Sequence, residues 1–404
     1  MAKTTPEIHL DCTNDNGNSE QALYINGDLV RQPNVYAEPT SKGFVDNVSP
    51  ESQIENLMNQ IDVTISSRSI QFNGDYYIGL KAIKSKYQPV SMDVELDTKY
   101  DSDLPIINTL GTLAAKAVQN YFKENKKIPS ELDVTVDMLT ALPVEQWNPK
   151  NADVFAMRFT GDNESLIHNV TVHINNLDVL VKIKFGQVKV AAEGVPALFA
   201  LLFDQNLNNR NDEIFKHFNE DYGKEITGEY LKGKRISHID IGDGTSDMPV
   251  TDGFNLDTHF VTGCNHGVGH AIEAAIQNFK EKHTTLKKLT RQKFSEYLKD
   301  ENHQYHQDAV RFFQKTALVQ SKFIFKHYQR VLSAFDNEVD LIVVYGGGSI
   351  ALKDSLYPLL EDLGEKLGKE ILWVPEEYAP LMNVEGLQVL LNRMKNQSKK
   401  KVKA

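Results

Sequence analysis

Two aspartates around a glycine-rich turn give this sequence its clearest chemical signal. Asp240 lies in a run of strand-type residues, and Gly242-Asp243-Gly244-Thr245 follows before strand character resumes. Glycines in such a hairpin let main-chain N–H groups approach a bulky anion. Carboxylates next to a phosphate are tolerated when Mg²⁺ lies between the negative groups. The pattern predicts a hairpin that binds phosphate and metal, although taken alone it is more typical of ordinary turns.

A second polar hairpin with a glycine is predicted near the start of the chain. Residues 7–13 have the character of a strand, residues 14–18 (NDNGN) that of a turn, and residues 21–25 that of the returning strand. Asn-Gly turns between two strands are a strong hairpin signal. Asp11 and Asp15 therefore place two carboxylates near this turn as well.

Three consecutive glycines form the third candidate. Gly346-Gly347-Gly348 stop a buried-type strand at residues 341–344, and Ser349 can cap the helix that follows. Because the glycines are consecutive and lie late in the chain, they do not match a Rossmann dinucleotide fingerprint. Without other context, this is a strand–helix turn of the kind common in α/β folds.

The elements that must position these turns are strands and amphipathic helices. Proline in the first turn and apolar residues at helical spacing predict a helix over Pro105–Lys123, and residues 132–140 predict a strand rich in β-branched side chains. Each half of the chain has short strands with a polar glycine hairpin and continues with helices. We therefore expect an α/β protein with coarsely duplicated halves.

Length and composition limit the possible functions. The 404 residues suit two domains, and the net charge of −11 argues against direct, broad binding to DNA. The two cysteines, Cys12 and Cys264, exclude a disulfide scaffold and suit a reducing compartment. No apolar run approaches the length of a membrane span, and residues 1–10 lack the core of a signal peptide. We expect a cytoplasmic protein without a membrane partner.

Together the three turns resemble those of the actin-like ATPase superfamily, in which two acidic hairpins hold the nucleotide phosphates and a glycine turn contacts the nucleoside. The stretches that carry the resemblance are HIDIGDGTSDMPV, LIVVYGGGSIALKDSLYPLL and, more loosely, LDCTNDNGNS. Four others are similar to plasmid-segregating filament proteins of the ParM type: TALPVEQW, VKVAAEGVPALFALL, GCNHGVGHAIEAA and YAPLMNVEGLQVL. Their order and spacing hold across nearly the whole chain.

The resemblance implies an α/β, actin-like fold: a duplicated, ribonuclease H-like arrangement of two domains with a nucleotide cleft between them. Domain I would comprise residues 1–194 and 385–404, and domain II residues 195–384. The implied activity is Mg²⁺-dependent hydrolysis of ATP, with GTP as the alternative nucleotide, coupled to polymerisation.

The resemblance also implies which residues bind the nucleotide. Gly242, Gly244 and Thr245 would donate backbone N–H groups to the phosphates, and Gly17 and Asn18 would do so from the other domain. The full predicted set is Asp11, Asn14, Asn16, Gly17, Asn18, Gly242, Asp243, Gly244, Thr245, Gly267, Gly346, Gly347, Gly348 and Ser349. For the glycine at position 267, the start of a helix is an equally good explanation.

The two predicted catalytic residues are Asp240, which would hold a metal-bound water, and Glu193, which would orient the attacking water. An ionised carboxylate is a weak base at pH 7, so orientation suits Glu193 better than proton abstraction. The alternative for Glu193 is a surface glutamate at a helix start. In the first hairpin, which departs from a compact Asp-x-Gly form, Asp11 and Asp15 compete for the metal. Asp11 is favoured because it is predicted to end the strand.

Two functions follow from the resemblance. The first is a filament that assembles head to tail from copies of this chain, driven by nucleotide, and that segregates plasmid DNA through a ParR-like, DNA-bound adaptor. The second is a small-molecule kinase of the same superfamily, which would need an aspartate placed to deprotonate a substrate hydroxyl. The sequence offers no such motif beyond the hairpin aspartates, so the filament is favoured.

Overall fold

The computed structural model describes residues 5–41, 49–93, 96–162, 165–260, 262–286 and 289–403. The chain divides into two compact units, which we call unit 1 (residues 1–192 and 394–404) and unit 2 (residues 193–393). Among the described helices there is none with the length and hydrophobicity needed to traverse a bilayer.

Unit 1 is built on one mixed sheet. Its described strands are β1 (Glu7–Asn16), β2 (Glu20–Ile25), β3 (Asp28–Pro33), β4 (Tyr36–Ala37), β5 (Asp62–Ser66), β6 (Gly74–Ile78), β7 (Glu131–Leu142), β8 (Ile167–Ile174) and β9 (Leu177–Ala192). Their order in the sheet is β3-β2-β1-β7-β9-β8-β5-β6-β4. The described helices are α1 (Pro50–Glu55), α2 (Leu80–Lys84), α3 (Leu104–Asn125) and α4 (Pro149–Thr160). β1 pairs antiparallel with β2 and parallel with β7, so the first hairpin is an inner part of the sheet.

α3 forms the centre of the unit 1 core. It contains the predicted helix, with Pro105 in its first turn, where the missing N–H has no intrahelical acceptor in any case. Ile106, Leu110, Leu113 and Ala117 recur at helical spacing and are fully buried against the sheet. The prediction of a helix here is therefore confirmed.

Unit 2 is built on a second mixed sheet. Its described strands are β10 (Arg235–Ile241), β11 (Ser246–Asp247), β12 (Val250–Asp252), β13 (Asn255–Leu256), β14 (Gly263–Cys264), β15 (Leu341–Tyr345) and β16 (Glu370–Trp373). The described helices are α5 (Val195–Leu202), α6 (Lys216–Tyr222), α7 (Gly228–Leu231), α8 (Val268–Lys282), α9 (Arg291–Lys299), α10 (His306–Ala334), α11 (Gly347–Leu367) and α12 (Met382–Lys403). The residues of α12 divide between the units after Arg393.

β15 shows why this sheet needs helices on both faces. All five of its residues are buried, as expected of a parallel strand that is covered on both sides. Ile342 and Val344 pack in one apolar cluster with residues of α10 and α11. Leu341, Val343 and Tyr345 pack in another with residues of α5 and α6. The glycine turn that follows β15 is therefore carried by a strand held firmly on both sides.

Candidate functional site

The predicted phosphate hairpin of unit 2 is the β10–β11 connection. Asp240 pairs with Asp247 and Ile241 with Ser246, and the turn closes through a bond of 2.9 Å from the Gly242 amide to the Thr245 carbonyl. Gly242–Thr245 is thus a tight turn at the end of a buried strand. A turn held in this way keeps its remaining backbone groups in fixed positions, as an anion site requires.

The start of α8 supports this turn from behind. The amides of Val268 and Gly269 donate to the carbonyls of Gly242 and Asp243 at 3.1 and 2.7 Å. A Cβ on Gly267 would lie 2.3 Å from the Asp243 carbonyl oxygen, so only glycine allows this close approach. The structure therefore brings Gly267 to the turn, where its backbone supports the hairpin.

An ion pair accounts for the second carboxylate of the turn. Nη1 of Arg291, at the start of α9, lies 2.7 Å from Oδ2 of Asp243, and Arg291 also contacts Glu273. The Asp243 carboxylate is thus neutralised by a cation of the protein. This pair links the turn to α9. It also explains how a turn that is predicted to bind an anion can contain the Asp243 carboxylate.

Asp240 is held by a side chain that the predicted site set omits. Its Oδ2 accepts a bond of 2.8 Å from Nδ2 of Asn383, and both residues are buried. Oδ1 of Asn383 in turn lies 3.5 Å from the amide of Gly194, next to Glu193. Asn383 therefore connects the Asp240 carboxylate with the loop that carries the predicted water-orienting residue.

Glu193 is buried, with 7% of its surface exposed, and it comes just before Gly194, the N-cap of α5. The alternative of a surface glutamate at a helix start is therefore wrong. Gly194 next to it has a φ of 88° and lies against Pro249, just after β11. The Glu193 loop and the hairpin strands thus pack together within unit 2.

The predicted glycine turn meets the same hairpin. Gly346 has a φ of 88°, and a Cβ there would lie 2.4 Å from Oδ1 of Asp240. Space is open around Gly347, whereas a Cβ on Gly348 would lie 2.8 Å from the Gly242 carbonyl. Ser349 is not the N-cap that we predicted: Gly346 caps α11, and the Ser349 hydroxyl donates to the Gly346 carbonyl at 2.8 Å.

In unit 1 the first strand is longer than predicted. β1 continues through Asn14 and Asp15 to Asn16, and the turn occupies residues 17–19. The reason for preferring Asp11, that it ends the strand, is therefore wrong. Asp15 stands two residues before the turn glycine, the same spacing that Asp240 has in unit 2.

Asp11 lies in different surroundings. Asp11 comes four residues before Asp15 in β1, and it pairs across the sheet with Asp137 of β7. At about 3.3 Å per residue, that places it roughly 13 Å along the strand from Asp15. Its carboxylate contacts Nζ of Lys395, and Nε2 of His9 lies 3.4 Å from Oδ1 of Asp11 and 3.6 Å from Oδ2 of Asp137. Lys395 already supplies a positive charge there.

The predicted residues Asn14 and Asn16 are buried, and their side chains face the protein interior. Nε2 of Gln21, on β2, lies 3.3 Å from Oδ1 of Asn14 and 3.0 Å from Oδ1 of Asn16. Nδ2 of Asn14 donates to Thr109 of α3 at 2.8 Å. Asn34 donates to the Gly17 carbonyl at 2.7 Å. These amides support the first hairpin from within unit 1.

Comparison with solved structures shows that the chain has the actin-like fold, which confirms the predicted fold class. One such structure is the actin-like protein Alp7A, with a TM-score of 0.71 at 16% identity over 98% of this chain and 100% of that one. Bacillus thuringiensis ParM with ATP gives 0.59 at 16% identity, over 96% and 99% of the two chains. A non-polymerisable quadruple mutant of pCBH ParM gives 0.60 at 16% identity, over the same shares.

At these identities the similarity concerns the fold. The sequence matches no protein-family model and no curated protein.

Proposed function

We propose that this protein binds and hydrolyses a nucleoside triphosphate with Mg²⁺, and that the nucleotide drives its assembly into an actin-like filament. The observation that carries the proposal is the convergence, in unit 2, of three glycine-rich segments around the buried carboxylate of Asp240. Asn383 donates to this carboxylate at 2.8 Å and so fixes the position of its oxygens. Glycine-rich turns let backbone N–H groups approach a phosphate, and a carboxylate beside them suits Mg²⁺, which prefers oxygen ligands.

The protein's own groups would act through position and charge, which is most of what phosphoryl transfer to water needs. Backbone N–H groups of Gly244 and Thr245 would bind the phosphates, whereas the predicted Gly242 N–H donates to the Thr245 carbonyl and closes the turn. Glu193 would orient the attacking water. Asn383 is a positioning residue, since it holds the Asp240 carboxylate and contacts the loop of Glu193.

Residues suited to Mg²⁺ are present in both hairpins. Mg²⁺ prefers oxygen ligands and keeps several of its waters, and Asp240 and Asp15 each offer a carboxylate two residues before a turn glycine. We assign Asp15 to this role in place of Asp11, whose carboxylate contacts Lys395. When bound, Mg²⁺ would neutralise charge on the phosphates.

The proposal extends from hydrolysis to assembly because of the named neighbours. One of them is a ParM with ATP, and another is a quadruple mutant of a ParM that is described as non-polymerisable. A head-to-tail contact that does not close into a ring extends indefinitely, as a filament requires. With a net charge of −11, the filament would hold plasmid DNA through a separate ParR-like adaptor.

The test combines 90° light scattering with phosphate release, using ATP or GTP with Mg²⁺ or EDTA. Asp240→Asn is the variant that tests the site, because it keeps the shape of the side chain and removes its charge. We expect the wild type to assemble and to release phosphate only with Mg²⁺, and the variant to hydrolyse about 100-fold more slowly or worse. No rise in scattering at any micromolar concentration would count against assembly. Transfer of phosphate to a sugar in preference to water would favour a kinase instead.

A further inference from the structure

We propose that the exposed side of α10 is the surface through which one copy of this chain binds the next. We call this surface the α10 face; its residues, all exposed, are Arg311, Lys315, Leu318, Val319, Lys322, Phe323, Lys326 and Arg330. The proposal rests on the proposed function, because it assigns to part of unit 2 the contact that a filament needs.

The α10 face is basic in an acidic protein. Between residues 311 and 333 the sequence contains no aspartate or glutamate, whereas the whole chain has a net charge of −11. Lys315, Lys322, Lys326 and Arg330 recur at intervals of seven and four residues, which places them along one side of the helix. Within the described part of the chain, none of these four cations forms an ion pair. A row of uncompensated positive charge favours a partner with negative charge.

The middle of the α10 face is apolar. Leu318, Val319 and Phe323 expose 42%, 53% and 50% of their surfaces. A nucleic acid would neutralise the surrounding cations, but it presents mainly phosphate and sugar to a surface of this kind. An apolar centre within a charged rim is instead the usual anatomy of a protein–protein interface. The face therefore favours a protein partner over a nucleic acid.

Two contacts join the α10 face to the phosphate hairpin. The rings of Phe323 and His266 are stacked, with centroids 5.0 Å apart and planes 7° from parallel. Oγ of Ser246, the first residue after the turn, donates to the His266 carbonyl at 2.6 Å. A shift of the turn on binding phosphate would thus be transmitted to Phe323. A partner whose binding depends on the nucleotide, such as the next subunit, fits this connection.

The occupant we assign is a second copy of the chain, through Asp93 and residues 96–101 of its unit 1. In this segment Leu96 exposes 84% of its surface, and the carboxylates of Asp93, Asp97 and Asp101 are on exposed residues. An apolar side chain among negative charges complements an apolar centre among positive ones. Because the two surfaces differ, the contact is heterologous and repeats from copy to copy.

The first experiment is ATP-dependent pelleting of Lys322→Glu/Lys326→Glu. Its matched control is Lys127→Glu/Lys150→Glu, which makes the same charge change at exposed lysines of unit 1. We expect the first variant to need at least about 10-fold more protein to pellet, because like charges now meet across the contact. Its affinity for a fluorescent ATP analogue should stay within about twofold of the wild type, because neither lysine is in the candidate site. The control should pellet like the wild type.

Pelleting of Lys322→Glu/Lys326→Glu at the wild-type concentration would overturn the assignment and leave the proposed function standing. Failure of the wild type to pellet would instead count against the proposed function. Duplex DNA binding that this variant loses, with pelleting unchanged, would also overturn the assignment and favour a nucleic acid on the α10 face.

The second experiment tests the pairing of the surfaces. Leu96→Lys/Asp101→Lys alters the acidic segment and should also prevent pelleting. A mixture of this variant with Lys322→Glu/Lys326→Glu retains one intact surface of each kind. Sedimentation velocity with ATP should then show a 1:1 dimer and no polymer. If neither variant pellets alone and their mixture stays monomeric, the proposed pairing of the acidic segment with the α10 face is wrong.

Discussion

The two hairpins share an Asp-x-Gly motif, but different interactions hold them in place. In unit 2 the turn is supported mainly by backbone groups, beside the Arg291–Asp243 ion pair: the amides of Val268 and Gly269 bond to the turn, and Gly267 allows the close approach. These contacts leave almost no room for a larger residue. The geometry of this hairpin therefore depends on the absence of side chains at a few positions.

In unit 1 the support comes from side chains. The amide of Gln21 lies within hydrogen-bonding distance of Asn14, Asn16 and Thr109, and Gln32 donates to Gln21 at 3.1 Å. All of these residues are buried. The difference teaches that one turn motif can be held by backbone packing or by a buried amide network. The two solutions should fail in different ways when they are mutated.

The largest effect is expected for Gly267→Ala. Its new Cβ would lie 2.3 Å from the Asp243 carbonyl oxygen, so α8 or the turn must move. A misplaced phosphate site loses affinity and rate, and we expect nucleotide affinity to fall about 100-fold. Titration with a fluorescent nucleotide measures it. Gly74→Ala is the control, since nothing lies within 4 Å of a Cβ there. Equal affinities for the two variants would contradict the dependence of this hairpin on glycine.

The second prediction separates the two aspartates of unit 1. Asp15→Asn should weaken nucleotide binding in Mg²⁺ by about 10-fold or more and much less in EDTA, because the lost charge acts through the metal. Asp11→Asn should change the affinity by less than about threefold, because its carboxylate contacts Lys395. The ratio of affinities with and without Mg²⁺ is the readout. If Asp11→Asn loses more Mg²⁺-dependent nucleotide affinity than Asp15→Asn, the metal-binding role belongs to Asp11.

The error over the first strand has a physical cause. Asparagine and aspartate are poor strand formers, so Asn14, Asp15 and Asn16 look like a turn in the sequence. In the structure, Gln21 and Thr109 accommodate the two buried amides and keep these residues in β1. Local propensity was overridden by side-chain contacts, one of which is with Thr109 on a helix far along the chain. The Asp-x-Gly spacing at Asp15, which was visible in the sequence, was missed for this reason.

The turns have local signatures that can be found in the sequence, and the actin-like fold was predicted from their resemblance to those of the actin-like superfamily. The partner of Asp240 was not predictable in this way. Asn383 stands 143 residues further along the chain, and only the packing of α12 brings it to the carboxylate. Asn383 lies in YAPLMNVEGLQVL, one of the stretches that resemble ParM-type proteins. The residue spacing of this stretch does not show which group the Asn383 amide binds.

The third prediction concerns the amide network of unit 1. Gln21→Leu keeps the approximate volume and removes the donor, which leaves Asn14 and Asn16 without this bond. A buried polar group that loses its partner costs about 1–3 kcal/mol, so we expect the free energy of unfolding to fall by that amount in urea denaturation. Nucleotide affinity should fall much less than in Gly267→Ala. Gln277→Leu, at an exposed position of α8, should change neither quantity. A binding defect without a loss of stability would contradict the structural role of the network.

The last prediction concerns acid sensitivity, which also distinguishes the units. Burial lowers the pKa of His238 in unit 2 to about 3, and its Nδ1 has no hydrogen-bond partner among the described residues. Burial also lowers the pKa of His168 in unit 1, but both ring nitrogens are bonded, to Ser67 and to the Phe159 carbonyl.

Each histidine is neutral when folded and takes up a proton on unfolding below about pH 6.5, so stability falls as the pH drops through that value. For His238 the loss approaches about 1.4 kcal/mol per pH unit, or about 2 kcal/mol between pH 7.5 and 5. Hydrogen exchange resolved to peptides should therefore show the strands of unit 2 losing protection first on acidification. His238→Gln should remove most of this difference. If it leaves the pH dependence unchanged, the acid sensitivity of unit 2 has another source.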